Sequence, residues 1–135
     1  MPGVLEEKDA IRELLARYCF HFDNGEFDAW LDLFTAEGVF DVEGVGRFCG
    51  RAGLQQLLER IPLVGGVPLI RHCVMNSIIH VDGACATASC YVVVLRRGAP
   101  PAIDFVGRYE DQLVKEGAEW RFTERRVFLD RAALR

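Results

Sequence analysis

The chain has 135 residues, half of them hydrophobic and 27% charged, which excludes a disordered chain and predicts one domain spanning 1–135. Its 16 Lys and Arg against 20 Asp and Glu leave a net charge of −4, so there is no general attraction to nucleic acid or to an anionic membrane surface. The apolar run Tyr91–Leu95 is only five residues long, against the ~20 that a membrane-spanning helix needs.

Glu6, Glu7 and Asp9 stand where a signal peptide would carry a basic flank and an apolar run, so the expected location is cytoplasmic. The cysteines Cys19, Cys49, Cys73, Cys85 and Cys90 are odd in number and none forms a CxxC pair. That fits a reducing compartment and argues against a disulfide framework or a structural zinc.

The first element is helical: Ile11, Leu14, Leu15, Tyr18 and Phe22 share one face. Asn24-Gly25 stops it, and a second helix over Asp28–Phe34 forms a hairpin with the first. After Gly38 the period changes to two. Val39–Val42 reads as a strand, Glu43–Gly46 as its turn, and Arg47-Phe48 as a weak return strand. Gly50–Ile61 is a third helix with the stripe Leu54, Leu57, Leu58 and Ile61, ended by Pro62, and 62–68 is a loop. Four strands follow: His72–Val81, Ala84–Leu95, Ile103–Val114 and Trp120–Leu129, with a basic tail at Arg131 and Arg135. Short turns between long strands make an antiparallel meander, and helices followed by such a sheet make an α+β domain. Gly107 marks a bend or a bulge. A curled sheet under helices leaves a concave interior, a natural small-molecule pocket.

Asp23 sits at the end of the first helix, the wrong end of the dipole for an acid. It either caps the turn or serves as a pocket carboxylate and general base. His72, at the start of its strand, is either bonded to backbone or able to exchange protons near neutral pH. Period-two counting puts His72, Val74, Asn76, Ile78 and His80 on one strand face. His21 lies on another helix face than Asp23, and His80 is hairpin surface.

Arg125 is an ordinary salt-bridge residue or an inward group that steadies negative charge. Counted by two, both faces of its strand mix apolar and charged residues. Tyr18, Phe22, Trp30 and Phe40 are core aromatics or pocket walls, and Asn76 is a polar pocket group or a satisfied strand residue. Metal-ligand spacings, phosphate loops and a GxSxG elbow are missing, so no metal and no cofactor are expected.

Three stretches, in this order, carry a resemblance. The first is Ile11, Leu14, Tyr18, Asp23, Asp28, Trp30, Leu33-Phe34 and Gly38-Val39-Phe40. The second is Arg71-His72, Asn76, Ile78 and Asp82-Gly83. The third is Gly107-Arg108-Tyr109, Asp111, Gly117, Trp120-Arg121-Phe122 and Arg125. The chain resembles the SnoaL-like branch of the nuclear transport factor 2-like superfamily over roughly Glu6 to Leu129, with a pattern similar to scytalone dehydratase, bile-acid dehydratase and hexachlorocyclohexane dehydrochlorinase. The resemblance implies a cone-shaped, cystatin-like barrel with a pocket. It also implies a catalytic pair at Asp23 and His72 and a pocket arginine at Arg125, and places Tyr18 near a pocket tyrosine of the dehydratases; Phe22, Trp30, Phe40 and Asn76 join Tyr18 as the substrate-binding candidates read from the residues themselves. A second pocket histidine of scytalone dehydratase has no match here.

The function expected on these grounds is a cofactor-free lyase or isomerase. His72, oriented by Asp23, removes a proton from a small, largely apolar or cyclic substrate, with dehydratase-like elimination favoured over isomerisation or cyclisation. The alternatives are a non-catalytic small-ligand-binding or protein-interaction domain, and a structural subunit of a ring-hydroxylating oxygenase. No nucleic-acid or membrane partner is expected. A homodimer or homotrimer is, because the outer sheet face lacks a covering layer, with Val92, Val94, Ile103 or Phe105 as candidate interface residues.

Overall fold

The computed structural model describes residues 2–130. The basic tail at Arg131 and Arg135 lies outside the described residues. The order is α1 (Val4–Asp23), α2 (Phe27–Leu31), β1 (Phe34–Val42), β2 (Gly46–Cys49), α3 (Gly50–Leu58), β3 (Leu63–Val64), β4 (Val67–Pro68), β5 (Ile70–Asp82), β6 (Cys85–Arg96), β7 (Ala102–Glu116) and β8 (Glu119–Leu129). Six strands form one curved, open sheet in the order β2-β1-β8-β7-β6-β5. The meander β5–β8 is antiparallel, whereas β1 returns to lie parallel beside β8. The expected loop at 62–68 holds the small β3–β4 hairpin, and β1 begins at Phe34 rather than Val39.

α1 has Glu6 and Glu7 in its first turn, the end where the dipole favours acids, and buries Ile11, Leu14, Leu15, Tyr18, Cys19 and Phe22 against the sheet. The Glu7 carboxylate accepts from Lys115 Nζ and Trp120 Nε1, both at 2.6 Å, tying the start of α1 to the β7–β8 turn. At the other end the chain leaves the helix through Gly25, which has φ +72°. A Cβ there would lie 2.4 Å from the Gly66 carbonyl oxygen of the β3–β4 turn. Gly25→Ala therefore combines a left-handed backbone with a backbone clash. The expected cost is on the order of 1–3 kcal/mol, read as a lower midpoint in urea denaturation.

Three irregularities in strand pairing explain why counting by two misplaces several side chains. In β5, Met75 pairs Tyr91 and Ile78 pairs Ser89, so Asn76 and Ser77 share one opposing residue. That bulge, with Asn76 at φ +58°, flips the strand: Ile79 is buried and Ile78 is 75% exposed. In β7 the extra residue is Asp104, between the Val94–Phe105 and Leu95–Ile103 pairs. In β8 it is Thr123, between the Gln112–Glu124 and Leu113–Phe122 pairs. Trp120 and Phe122 before it, and Arg125 and Val127 after it, consequently all face the core, which is why both sequence parities of β8 looked mixed.

Gly107 is not itself a bulge. It is buried where β8 comes close, and a Cβ there would lie 2.2 Å from the Phe128 carbonyl oxygen. Of the candidate interface residues, Val92 and Val94 are fully buried and point inward, whereas Ile103 is 66% exposed on the outer face.

Candidate functional site

Residues 49 apart in sequence meet where the C-terminus of α1 crosses the start of β5. The Asp23 carboxylate takes two hydrogen bonds from one residue. His72 backbone N–H donates to Oδ2 at 2.8 Å, and His72 Nδ1 lies 2.7 Å from Oδ1. Both side chains are more than nine-tenths buried, at 7% exposure for His72 and 8% for Asp23. An ionised carboxylate can only accept, so a neutral His72 ring in this contact carries its proton on Nδ1 and presents its lone pair at Nε2. The imidazole is packed edge-on against Phe22, with ring centroids 5.0 Å apart, and against Tyr18 at 6.0 Å. Its orientation is thus fixed from three sides.

A buried acid at the negative end of a helix needs compensation. The two His72 donors supply part of it. Arg97, just past the end of β6, supplies more: its Nη2 donates to the Asp23 backbone carbonyl at 2.9 Å, one of the carbonyls left free at a helix end. Arg97 is placed there because its own backbone N–H extends the β5–β6 ladder to Leu69 O at 2.9 Å.

Around the pair lies a pocket of about 210 Å³ lined by Cys19, Phe20, Asn24, Arg71 and Arg97 together with Asp23 and His72. Burial pushes the Cys19 thiol up to about 12, so it is a neutral wall rather than a thiolate nucleophile. The volume is below the ~300–1,000 Å³ usual for drug-sized ligands. It suits a small molecule, or the reacting end of a larger one.

The remaining candidates fall elsewhere. Arg125 does not reach the pocket. It is fully buried and forms a two-pronged ion pair with Asp111, Nε to Oδ1 at 2.9 Å and Nη2 to Oδ2 at 3.3 Å. Its guanidinium carbon sits 3.5 Å from the Tyr109 ring centroid, 4.2 Å from Tyr18 and 4.7 Å from Phe122. The Tyr18 ring therefore separates Arg125 from His72.

Tyr18 and Phe22 touch the imidazole, but Trp30 and Phe40 pack behind them with Phe34, filling the concave interior that was expected to be open. Asn76 is carried away by its bulge. It lines a separate outer groove with Ser77, Tyr91, Arg108 and Glu110.

Sequence reasoning missed Cys19, Arg71 and Arg97. Cys19 stands one helical turn before Asp23, and Arg71 adjoins His72, so both had a positional signal. Arg97 had none, because only the register of β5 and β6 brings it to the helix end. Among the described residues no group of three or more His, Cys, Asp or Glu side chains is arranged to hold a metal ion, and no helix is long and apolar enough to cross a membrane.

The family model for the SnoaL-like domain matches residues 3–126. The chain belongs to the SnoaL-like family. No curated protein matches it in sequence.

Solved structures similar to this SnoaL-like domain include a protein of unknown function from Mycobacterium tuberculosis, 28% identical, covering 98% of this chain and 79% of that one, with a TM-score of 0.83. An NTF2-like protein with a cystatin-like fold from Novosphingobium aromaticivorans is also 28% identical, covering 97% and 87%, with a TM-score of 0.83. A protein provisionally named a scytalone dehydratase, from the same organism, shares the fold at 23% identity, covering 94% and 86%, with a TM-score of 0.80.

Proposed function

We propose that this SnoaL-like domain is a cofactor-free lyase or isomerase in which His72 is the general base and Asp23 its orienting partner. The observation that carries the reading is the double hold of Asp23 on His72, which fixes the orientation of the ring and leaves Nε2 without a partner in the contact. A base of this kind acts on a proton made acidic by a neighbouring carbonyl.

In an elimination, Nε2 takes the proton and the C–H electron pair becomes the new carbon–carbon double bond. The hydroxyl on the adjacent carbon leaves, and the imidazolium returns the proton to that oxygen, releasing water. In an isomerisation the same proton returns to a different carbon. The imidazolium formed in between faces the Asp23 carboxylate, which stabilises it. Phe20 and Cys19 are the apolar lining of the pocket, and they support a substrate with a small apolar or cyclic part.

The test is a panel of small cyclic β-hydroxyketones and β-hydroxy acids, followed by appearance of the conjugated product and by uptake of solvent deuterium beside the carbonyl or carboxylate. Turnover or exchange by the wild-type protein that is lost in His72→Ala supports the reading. The reading fails if the variant retains that activity or if the wild type acts on none of the panel. The aromatic filling of the interior favours a second reading, a non-catalytic domain that binds a small ligand. It predicts binding in the same panel without exchange.

Self-association belongs to the same proposal. The outer face of β5–β7 exposes Ile78 at 75%, Ile103 at 66% and Tyr91 at 58%, large apolar side chains spread over a sheet face that no helix among the described residues covers. Light scattering is expected to give two or three times the 15.2 kDa chain mass. A monomer that stays monomeric at high concentration contradicts it.

A further inference from the structure

We propose that Arg97 and Arg71 make the mouth of the Asp23–His72 pocket a carboxylate-binding subsite, so that the molecule acted on is a small organic acid. The proposal deepens the preceding reading and rests on it for which end of the ligand reacts. Three observations carry it.

The first is charge. Two guanidinium groups line this small pocket and Asp23 is the one acid among its lining residues. Both Asp23 oxygens are already engaged by His72. With a neutral imidazole the lining carries one net positive charge, in a chain whose net charge is −4.

The second is an unused donor. One Nη2 bond holds Arg97 to the Asp23 carbonyl, whereas Nη1 makes no hydrogen bond among the described residues and is not one of the buried unpaired atoms, so it is left to donate to a ligand. A planar guanidinium presents its remaining donors in the fork that matches two carboxylate oxygens.

The third is geometry. Arg71 is the residue before His72 and lies across from Leu95, so its exposed side chain is anchored at the same end of the β5–β6 pair from which Arg97 emerges. Arg71 makes no ion pair among the described residues, as is also true of Arg12 and Arg60, so its charge is not already engaged by an acid of this chain. An acid bound between the two arginines places the carbon next to its carboxylate toward the His72 ring, with Cys19 and Phe20 as the apolar lining for the remainder.

The probes are two pairs of matched shape, phenylacetate with phenylacetamide and cyclohexanecarboxylate with cyclohexanecarboxamide. Binding is measured by titration calorimetry and by the shift of the His72 backbone amide in the NMR spectrum. Each acid is expected to bind at least about tenfold more tightly than its amide, as charge-assisted bonds exceed neutral ones, with a preference that shrinks at high salt. Arg71→Gln is expected to weaken the acid and not the amide. Arg97→Gln should do so more strongly, and Arg97→Lys, which keeps the charge without the fork, should recover part of the loss.

Arg97 also holds the helix end, so Arg71→Gln is the variant that decides if Arg97→Gln misfolds. Equal affinity for acid and amide overturns the proposal, as does failure of both acids to bind. A preference untouched by Arg71→Gln and Arg97→Gln also overturns it. His72→Ala separates the two readings: acids that still bind it, with no proton exchange catalysed by the wild type, leave the subsite standing and remove the base.

Discussion

Asp111→Asn is expected to lower stability by about 3–5 kcal/mol, the cost of leaving a buried charge without its partner. Arg125 is fully buried between three aromatic rings, and Asp111 is its counter-ion. Asparagine keeps the shape but offers one neutral acceptor where the guanidinium held two charged oxygens. The same argument predicts that Arg125→Met combined with Asp111→Leu recovers much of the loss, because an apolar pair of similar volume carries no desolvation cost. Urea denaturation of the two variants checks this. A loss under about 1 kcal/mol in Asp111→Asn would show that the pair does not hold the core together. Because the Tyr18 ring touches both Arg125 and His72, the single variant is also expected to loosen the packing against the imidazole.

His72→Ala is expected to reduce turnover by about 10²–10⁴-fold, the usual contribution of a positioned base, and to lower the denaturation midpoint without abolishing folding. The buried Asp23 carboxylate keeps the backbone N–H of residue 72 but loses the ring donor, and Phe22 and Tyr18 lose one side of their contacts. Asp23→Asn is expected to be comparably damaging for a different reason. An amide nitrogen at one of the two carboxylate positions would face an N–H group of His72, either the backbone or the ring, and the tautomer would no longer be fixed. Steady-state rates of both variants on any substrate the wild type accepts provide the check. A His72→Ala protein with near wild-type turnover removes the histidine from the chemistry.

How far the sequence could be read follows from which signals are local. The stripe from Ile11 to Phe22 and the Asn24-Gly25 stop are local, and they place Asp23 at a helix end without further help. The long strands and the Asp82-Gly83 turn are equally visible. What was hidden is what a single extra residue does. Asn76, Asp104 and Thr123 each interrupt a strand that otherwise alternates. No residue type announces such a bulge, so Ile78 was put on the face of His72, and Arg125 could not be assigned to the core. The meeting of Asp23 with His72 came from the family resemblance, not from spacing. Arg97 reached the site through strand register alone. The parallel pairing of β1 with β8 was likewise illegible, because the partners are most of the chain apart.

If His72 is the base, Asp23 holds it as a neutral ring with its proton on Nδ1 and a free lone pair on Nε2. Long-range 15N–1H correlation spectra of the histidine-labelled protein at neutral pH read this out, with His72→Asn to assign the ring. One pyrrole-type nitrogen at Nδ1 and one pyridine-type nitrogen at Nε2 are expected, and Asp23→Asn is expected to abolish this pattern. A proton found on Nε2 alone, or on both nitrogens, would contradict it, since a ring in either state has no lone pair at Nε2 with which to take a proton.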